Sequence, residues 1–176
     1  WQRGIQVLLD FSLDLFQSRD RDDPMQQLIS WAERLAETGH VGLWSFKADG
    51  PQVMLQAASG KLEPLIGKKL KTGEDIPWKV WKSGQSTFIQ EYSAWSNASG
   101  LLKKSGLQSG IGVPLKSANQ VMHVLSVYYE SLSPALAEPR MSLLELLAQV
   151  AFDSLNLRQR LDELSEARAA QEEKVN

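Results

Sequence analysis

The sequence predicts an α+β domain whose antiparallel sheet is covered by helices on one face, with further long helices at both ends. Three observations carry this reading: period-two apolar alternation in the middle of the chain, helical apolar periodicity before and after it, and strands segregated from the flanking helices. The N-terminal segment Ile-Gln-Val-Leu-Leu-Asp-Phe-Ser-Leu-Asp-Leu-Phe (5–16) places Ile5, Leu8, Leu9, Ser12, Leu15 and Phe16 on one helical face. Val7, Phe11 and Leu13 make other sides apolar as well, so this helix is expected to bury more than one side and to meet a partner besides its own domain. The run 18–24, Ser-Arg-Asp-Arg-Asp-Asp-Pro, breaks it. Pro24 after two aspartates reads as the first turn of a second helix, which carries Leu28, Ile29, Trp31, Ala32 and Leu35 and ends near Gly39.

Strands follow at 41–46 and 53–58, joined by a turn at Ala48-Asp49-Gly50-Pro51. From Gly60 to Gly84 the pattern is mixed, interrupted by Gly67, Gly73 and Pro77, with a short helix expected around Trp78–Lys82. A third, short strand covers 86–90, and 94–105 reads as loop plus a short helix that Gly106 ends. The plainest strands are 110–115 and 121–129, a hairpin turning at 116–120. A loop with Pro134 and Pro139 then leads into a long helix from about Ser142.

In that last helix Leu143, Leu147, Val150, Ser154, Leu157, Leu161 and Leu164 alternate by four and three, the seam of a coiled coil. Arg168 and Gln171 weaken the seam before Val175 resumes it, and Arg158, Arg160, Asp162, Glu163, Glu166 and Arg168 are charged positions around it. Packing on the chain's own sheet suits 143–155, whereas 157–175 extend past a single-domain surface and suit a two-stranded stalk. The expected organisation is an N-terminal dimer-type helix (1–20), a globular domain (21–157) and a coiled-coil linker helix (158–176).

Bulk composition narrows the function. Of 176 residues, 43% are hydrophobic and 23% charged, the balance of a globular domain, and the net charge of −2 gives no electrostatic reason to invoke nucleic acid. No apolar run approaches the roughly 20 residues that span a bilayer, so no membrane contact is expected of this segment. A chain that begins at Trp1 is expected to be a piece of a longer protein. The absence of cysteine removes disulfides, thiolate nucleophiles, iron–sulfur clusters, cysteine-ligated zinc and thioether-attached cofactors together. With His40 and His123 the only histidines, a multi-histidine metal site is not expected. A cytoplasmic location fits this composition.

Three local sequences, in this order and spacing, carry a resemblance. They are Gly84-Gln-Ser-Thr-Phe-Ile-Gln-Glu-Tyr-Ser-Ala-Trp95, Gly106-Leu-Gln-Ser-Gly-Ile-Gly-Val-Pro-Leu115 and Val121-Met-His-Val-Leu-Ser-Val-Tyr128. Together they resemble the GAF domain over about Leu28–Leu157, and the Val-Pro-Leu strand followed by a hairpin favours GAF over the architecturally related PAS domain. The resemblance implies a sheet with helices on one face and a ligand pocket on the other. It also implies terminal helices that pair in a parallel homodimer and relay a signal to an output domain such as a kinase, cyclase or transcription activator.

Strand alternation separates the faces. Ile111, Val113, Leu115, Leu125 and Val127 are expected to meet the helices, and Gly110, Gly112, Met122, Val124, Ser126 and Tyr128 to line the opposite face. Two glycines there either leave room for a ligand or accommodate a large neighbour. Trp78, Trp81, Tyr92 and Trp95 concentrate in the segment that, by the resemblance, lids the pocket; they either contact a planar ligand or fill the pocket themselves. The expected ligand-binding set is therefore Trp78, Trp81, Tyr92, Trp95, Gly110, Gly112, Ser126 and Tyr128. The expected dimer set is Ile5, Leu8, Leu9, Leu143, Leu147, Val150, Leu157, Leu161 and Leu164.

His123 falls on the helix side, where a packed histidine is preferred to a haem ligand; His40, at a helix end, suits the helix dipole and is assigned no ligand role. Glu74, Asp75 and Glu91 in the middle region have no base or nucleophile beside them, so no catalytic residue and no enzymatic activity are expected. The family's methionine sulfoxide reductases use cysteines and its bilin-binding members a cysteine link, neither available here. The cyclic-nucleotide signature of phosphodiesterase GAF domains is not recognisable either. The resemblance leaves two functions open: a sensor that binds a small molecule non-covalently, its ligand and any cofactor unidentified, and a ligand-free module for dimerisation and relay.

Overall fold

Valine, isoleucine and leucine at alternate positions of 111–127 produce the two longest strands of a six-stranded sheet. The structure is a computed structural model and describes residues 5–11, 24–47, 52–118 and 120–175. Its strands are β1 (His40–Phe46), β2 (Val53–Ala58), β3 (Lys69–Leu70), β4 (Thr87–Ile89), β5 (Ser109–Ser117) and β6 (Gln120–Tyr129), in the order β3-β2-β1-β6-β5-β4. Every neighbouring pair is antiparallel. The two-residue β3 was not among the expected strands, because so short a segment carries no periodicity. The helices are α1 (residues 5–11), α2 (Pro24–Ala36), α3 (Asp75–Ser83) and α4 (Pro134–Val175), with 3-10 turns at Gly60–Leu65 and Tyr92–Ala94.

The sheet has a buried layer on each side. Val41, Leu43, Ile111, Val113, Leu115, Leu125 and Val127 face Leu28 and Ile29 of α2 and Leu144 and Leu147 of α4. Each leucine so enclosed stabilises the fold by about 1.5–3 kcal/mol relative to exposure. Trp44, Leu55, Val124 and Tyr128 point the other way, where Ile76, Trp78 and Val80 of α3 cover them together with Leu62, Tyr92, Leu102 and Leu107. The expected assignment of faces therefore holds for both long strands, except at Met122. A register slip at Leu115/Lys116 shifts the alternation, so Val121, not Met122, joins the second layer.

Two boundaries differ from the sequence reading. α4 begins at Pro134, eight residues earlier than expected, and Pro139 lies inside it. Proline at the first helical position loses no hydrogen bond, and α4 absorbs the one that Pro139 cannot make. α2 stops at Ala36, and His40 opens β1 instead of closing a helix. Its Nδ1 accepts the Lys61 N–H at 3.2 Å and its Nε2 faces Glu130 at 3.6 Å, a strand-to-turn clasp rather than a dipole contact. Gly60 adopts φ +60° beside it, where an added Cβ would fall 2.3 Å from His40 Nδ1. The expected second half of the N-terminal helix (12–16), the break at 18–23, the turn at 48–51 and Asn119 in the hairpin lie outside the described residues.

Candidate functional site

The segment Asp-Ile-Pro starts α3, and its first residue organises the space between helix and sheet. Asp75 sits in the left-handed region (φ 69°), its N–H donating to Asn97 O at 2.7 Å. That conformation turns the side chain inward, where it is 1% exposed. Oδ1 accepts from Ile76 N–H and from the Tyr128 hydroxyl, each at 2.8 Å. Oδ2 accepts from Ser99 N–H at 2.8 Å and from the Tyr92 hydroxyl. One carboxylate thus receives four donors from four segments, α3, the Tyr92 turn, the Ser99 loop and β6. Burial pushes the Asp75 carboxyl above its ordinary value, while the hydrogen bonds from Tyr92, Ile76, Ser99 and Tyr128 pull the other way. The same burial, with the Asp75 charge beside them, raises the hydroxyls of Tyr92 and Tyr128, so both remain protonated donors.

Next to this cluster the indole N–H of Trp44 donates to Ser126 Oγ at 2.8 Å, fully buried. Toward the end of β1 and α3, Phe46, Trp78 and Trp81 form a three-ring contact with centroids 5.4–5.7 Å apart. Trp78 is buried and its indole N–H has no hydrogen-bond partner. Trp81 stacks on Phe46 and remains 38% exposed. Trp95 is half-buried at the far edge, its ring 6.1 Å from that of Tyr92.

The glycines explain how closely α3 approaches. A Cβ on Gly110 would lie 2.6 Å from Ile76 Cδ1, and one on Gly112 would lie 2.3 Å from Ile76 Cγ2 and 2.9 Å from Val80 Cγ2. They give the lid helix its seat on β5. Gly112→Leu is therefore expected to cost about 1–3 kcal/mol of stability through overpacking, read as a lower urea midpoint; an unchanged midpoint would mean that α3 is not seated there.

Trp78, Tyr92, Gly110, Gly112, Ser126 and Tyr128 are thus brought into one buried layer, with Trp81 and Trp95 on its margins. Sequence reading missed Asp75 as a centre, along with Trp44, Phe46 and Ser99. The available signal was an acidic residue in the first turn of a helix, Asp75 ahead of Ile-Pro. His123 lies on the opposite side, its Nδ1 3.3 Å from Ser45 Oγ, with its pKa lowered by burial. Among the described residues no group of three or more histidines, cysteines or acids could hold a metal ion.

The family model of the GAF domain matches residues 18–154. This chain belongs to the GAF domain family. GAF domains are regulatory sensor domains that often bind small molecules. Among solved structures, the GAF domain of an Acinetobacter phosphoenolpyruvate-protein phosphotransferase superposes with a TM-score of 0.76 at 15% identity, over 92% of this chain and 98% of that one. The free methionine-R-sulfoxide reductase of Neisseria meningitidis, solved with its substrate, gives 0.73 at 19% identity over 90% and 91%. The A. Aeolicus nlh2 GAF domain in an inactive state gives 0.71 at 17% identity over 89% and 98%. The fold therefore serves mostly regulatory proteins and at least one enzyme. No curated protein is significantly similar to this GAF domain.

The expected dimer residues divide in this GAF domain. Leu147 is wholly buried in the chain's own core, which takes it out of any interface surface, and Leu143, Val150 and Leu8 pack partly against that core. The reason is the early start of α4, whose first half serves as a cover for the sheet. Ile5 and Leu9 on α1 are exposed, as are Leu157, Leu161 and Leu164 at 55%, 46% and 66%. α4 runs through the expected boundary at 157/158 without a break. No helix among the described residues is long and apolar enough to cross a membrane.

Proposed function

We propose that this GAF domain is a non-enzymatic sensor that binds a small molecule non-covalently beneath α3 and relays its state through a parallel helical homodimer to an output domain. One observation carries the reading: α4 both covers the sheet, through Leu144 and Leu147, and projects exposed leucines at 157, 161 and 164 beyond it. A change at the sheet thus has a rigid element to act on. The ligand set is Trp78, Trp81, Tyr92, Trp95, Gly110, Gly112, Ser126 and Tyr128, joined by Asp75. The dimer set is Ile5, Leu9, Leu157, Leu161 and Leu164, with 1–20 as pairing helix, 21–157 as sensor and 158–176 as linker. A ligand needs only a differential affinity for two helix arrangements, typically worth about 1–3 kcal/mol. Cysteine-based sulfoxide reduction and covalent bilin attachment have no thiol to use in this chain, and the setting in this reading is the cytoplasm.

The close seat of Ile76 and Val80 on Gly110 and Gly112 favours a second reading, a ligand-free relay whose pocket is filled by its own lid. Both readings require the dimer, so it is tested first. Replacing Leu157 and Leu161 together by Lys is expected to turn a dimer into a monomer in sedimentation, with the circular dichroism of the sheet unchanged. A variant that still sediments as a dimer would sink both. Native mass spectrometry of gently purified protein then separates them: extra mass on the dimer supports the sensor, and a bare dimer supports the relay.

A further inference from the structure

The groups around Asp75 form a site for a negative charge, and the protein fills it with its own side chain. All four polar contacts to the carboxylate are donors, two tyrosine hydroxyls and two backbone N–H groups, and no lysine or arginine pairs with it. A fifth donor lies one helical turn further along the same face of α3: the Trp78 indole N–H, buried and without a partner. Trp78 is the one buried residue of α3 besides Asp75 with a polar side-chain atom, and that atom is a donor without an acceptor.

The surface around the lid has the same preference. Segment 60–116 holds nine lysines and no arginine against four acidic residues, whereas the remainder of the chain holds ten basic and seventeen acidic residues. All nine lysines are exposed, and among the described residues only Lys61 has an acidic partner, Glu130. A chain of net charge −2 thus contains a segment with an excess of positive charge, which favours small anions near it.

We propose that the Asp75 pocket is an organic-anion site closed from within, and that its ligand is a small planar carboxylic acid that takes over the four hydrogen bonds of Asp75 and engages the Trp78 indole N–H. This rests on the pocket beneath α3 being the sensor's ligand site, and it names the class of ligand. Exchange of one carboxylate for another leaves the donors satisfied, so displacement carries no penalty of orphaned buried groups. Asp75 holds a left-handed backbone, φ 69°, and strained residues of this kind mark switch positions. The flat neighbours Phe46, Trp78, Tyr92 and Trp95 suit a ring attached to the carboxylate.

Benzoate, benzamide and benzylamine share one shape and differ in charge, so calorimetric titration of the three into the wild-type chain and Asp75→Gly tests the assignment. Glycine accepts the left-handed conformation and removes the internal competitor. If Asp75 occupies its site nine-tenths of the time or more, benzoate affinity should rise about tenfold or more in Asp75→Gly, as expected when a closed state is removed. Benzamide and benzylamine should bind neither form. The Trp78 indole resonance in proton–nitrogen spectra, assigned with Trp78→Phe, should shift with benzoate. Should Asp75→Gly fail to fold, Asp75→Asn, whose amide competes poorly for four donors, should show a smaller gain of the same sign. Equal benzoate affinity in wild type and variant, or no benzoate binding to a folded variant, overturns the proposal. Binding of benzamide or benzylamine in preference to benzoate overturns it as well, while leaving the sensor reading intact.

Discussion

Leu147→Ala should lower the unfolding free energy by about 2–5 kcal/mol, the range for removing a fully buried leucine side chain. Leu147 is completely enclosed between α4, α2 and the sheet, in the layer that also holds Ile29, Val113 and Leu125. For a domain of this size each kcal/mol moves Tm by about 2–4 °C, so the melting temperature should fall by roughly 4–20 °C. The midpoint should also fall at protein concentrations where only monomer is present, since the lost contacts lie within one chain. If Leu147 served the dimer instead, the loss would vanish in the Leu157/Leu161 double-lysine variant. Thermal melts of Leu147→Ala in both backgrounds decide the matter: equal losses place the residue in the core.

Trp44→Ala should cost about 3–5 kcal/mol, a comparable loss on the other side of the sheet. Its ring is fully buried against the lid and its N–H satisfies Ser126 Oγ. Truncation opens a large cavity under α3 and leaves a buried hydroxyl without its donor. Trp44→Phe fills most of the volume but removes the indole donor to Ser126 Oγ, which keeps its own bond to Gly42 O at 3.5 Å, so its cost should be about 1–3 kcal/mol. Urea denaturation of both variants gives the ratio; equal, small losses would mean that the second layer is far looser than the contacts of Trp44 indicate.

These two residues also mark what was legible in the sequence. Leu147 was visible as an apolar helical position, but a four-three seam reads the same whether it faces a sheet or another helix. Only the start of α4 at Pro134, obscured by two prolines, decides between them. The faces of β5 and β6 were legible because alternation is a local property, and the family followed from three short segments in order. Trp44 was not singled out, because its partner Ser126 lies 82 residues away and pairs with it only through the register of β1 on β6. Asp75 was seen only as an acid without a base. Its importance comes from four donors on separate segments, and no spacing within the chain announces that convergence.

The unbroken run of α4 has a mechanical consequence. Among the described residues Ala151 is the last buried one of a helix that continues to Val175, leaving about 36 Å of rod past it at 1.5 Å per residue. A tilt of about 5° at the sheet would sweep the far end through about 3 Å. The domain thus carries its own lever arm, with the fulcrum in the core and the long side outside it, and a displacement too small to notice at the sheet arrives at the tip as the width of an atom.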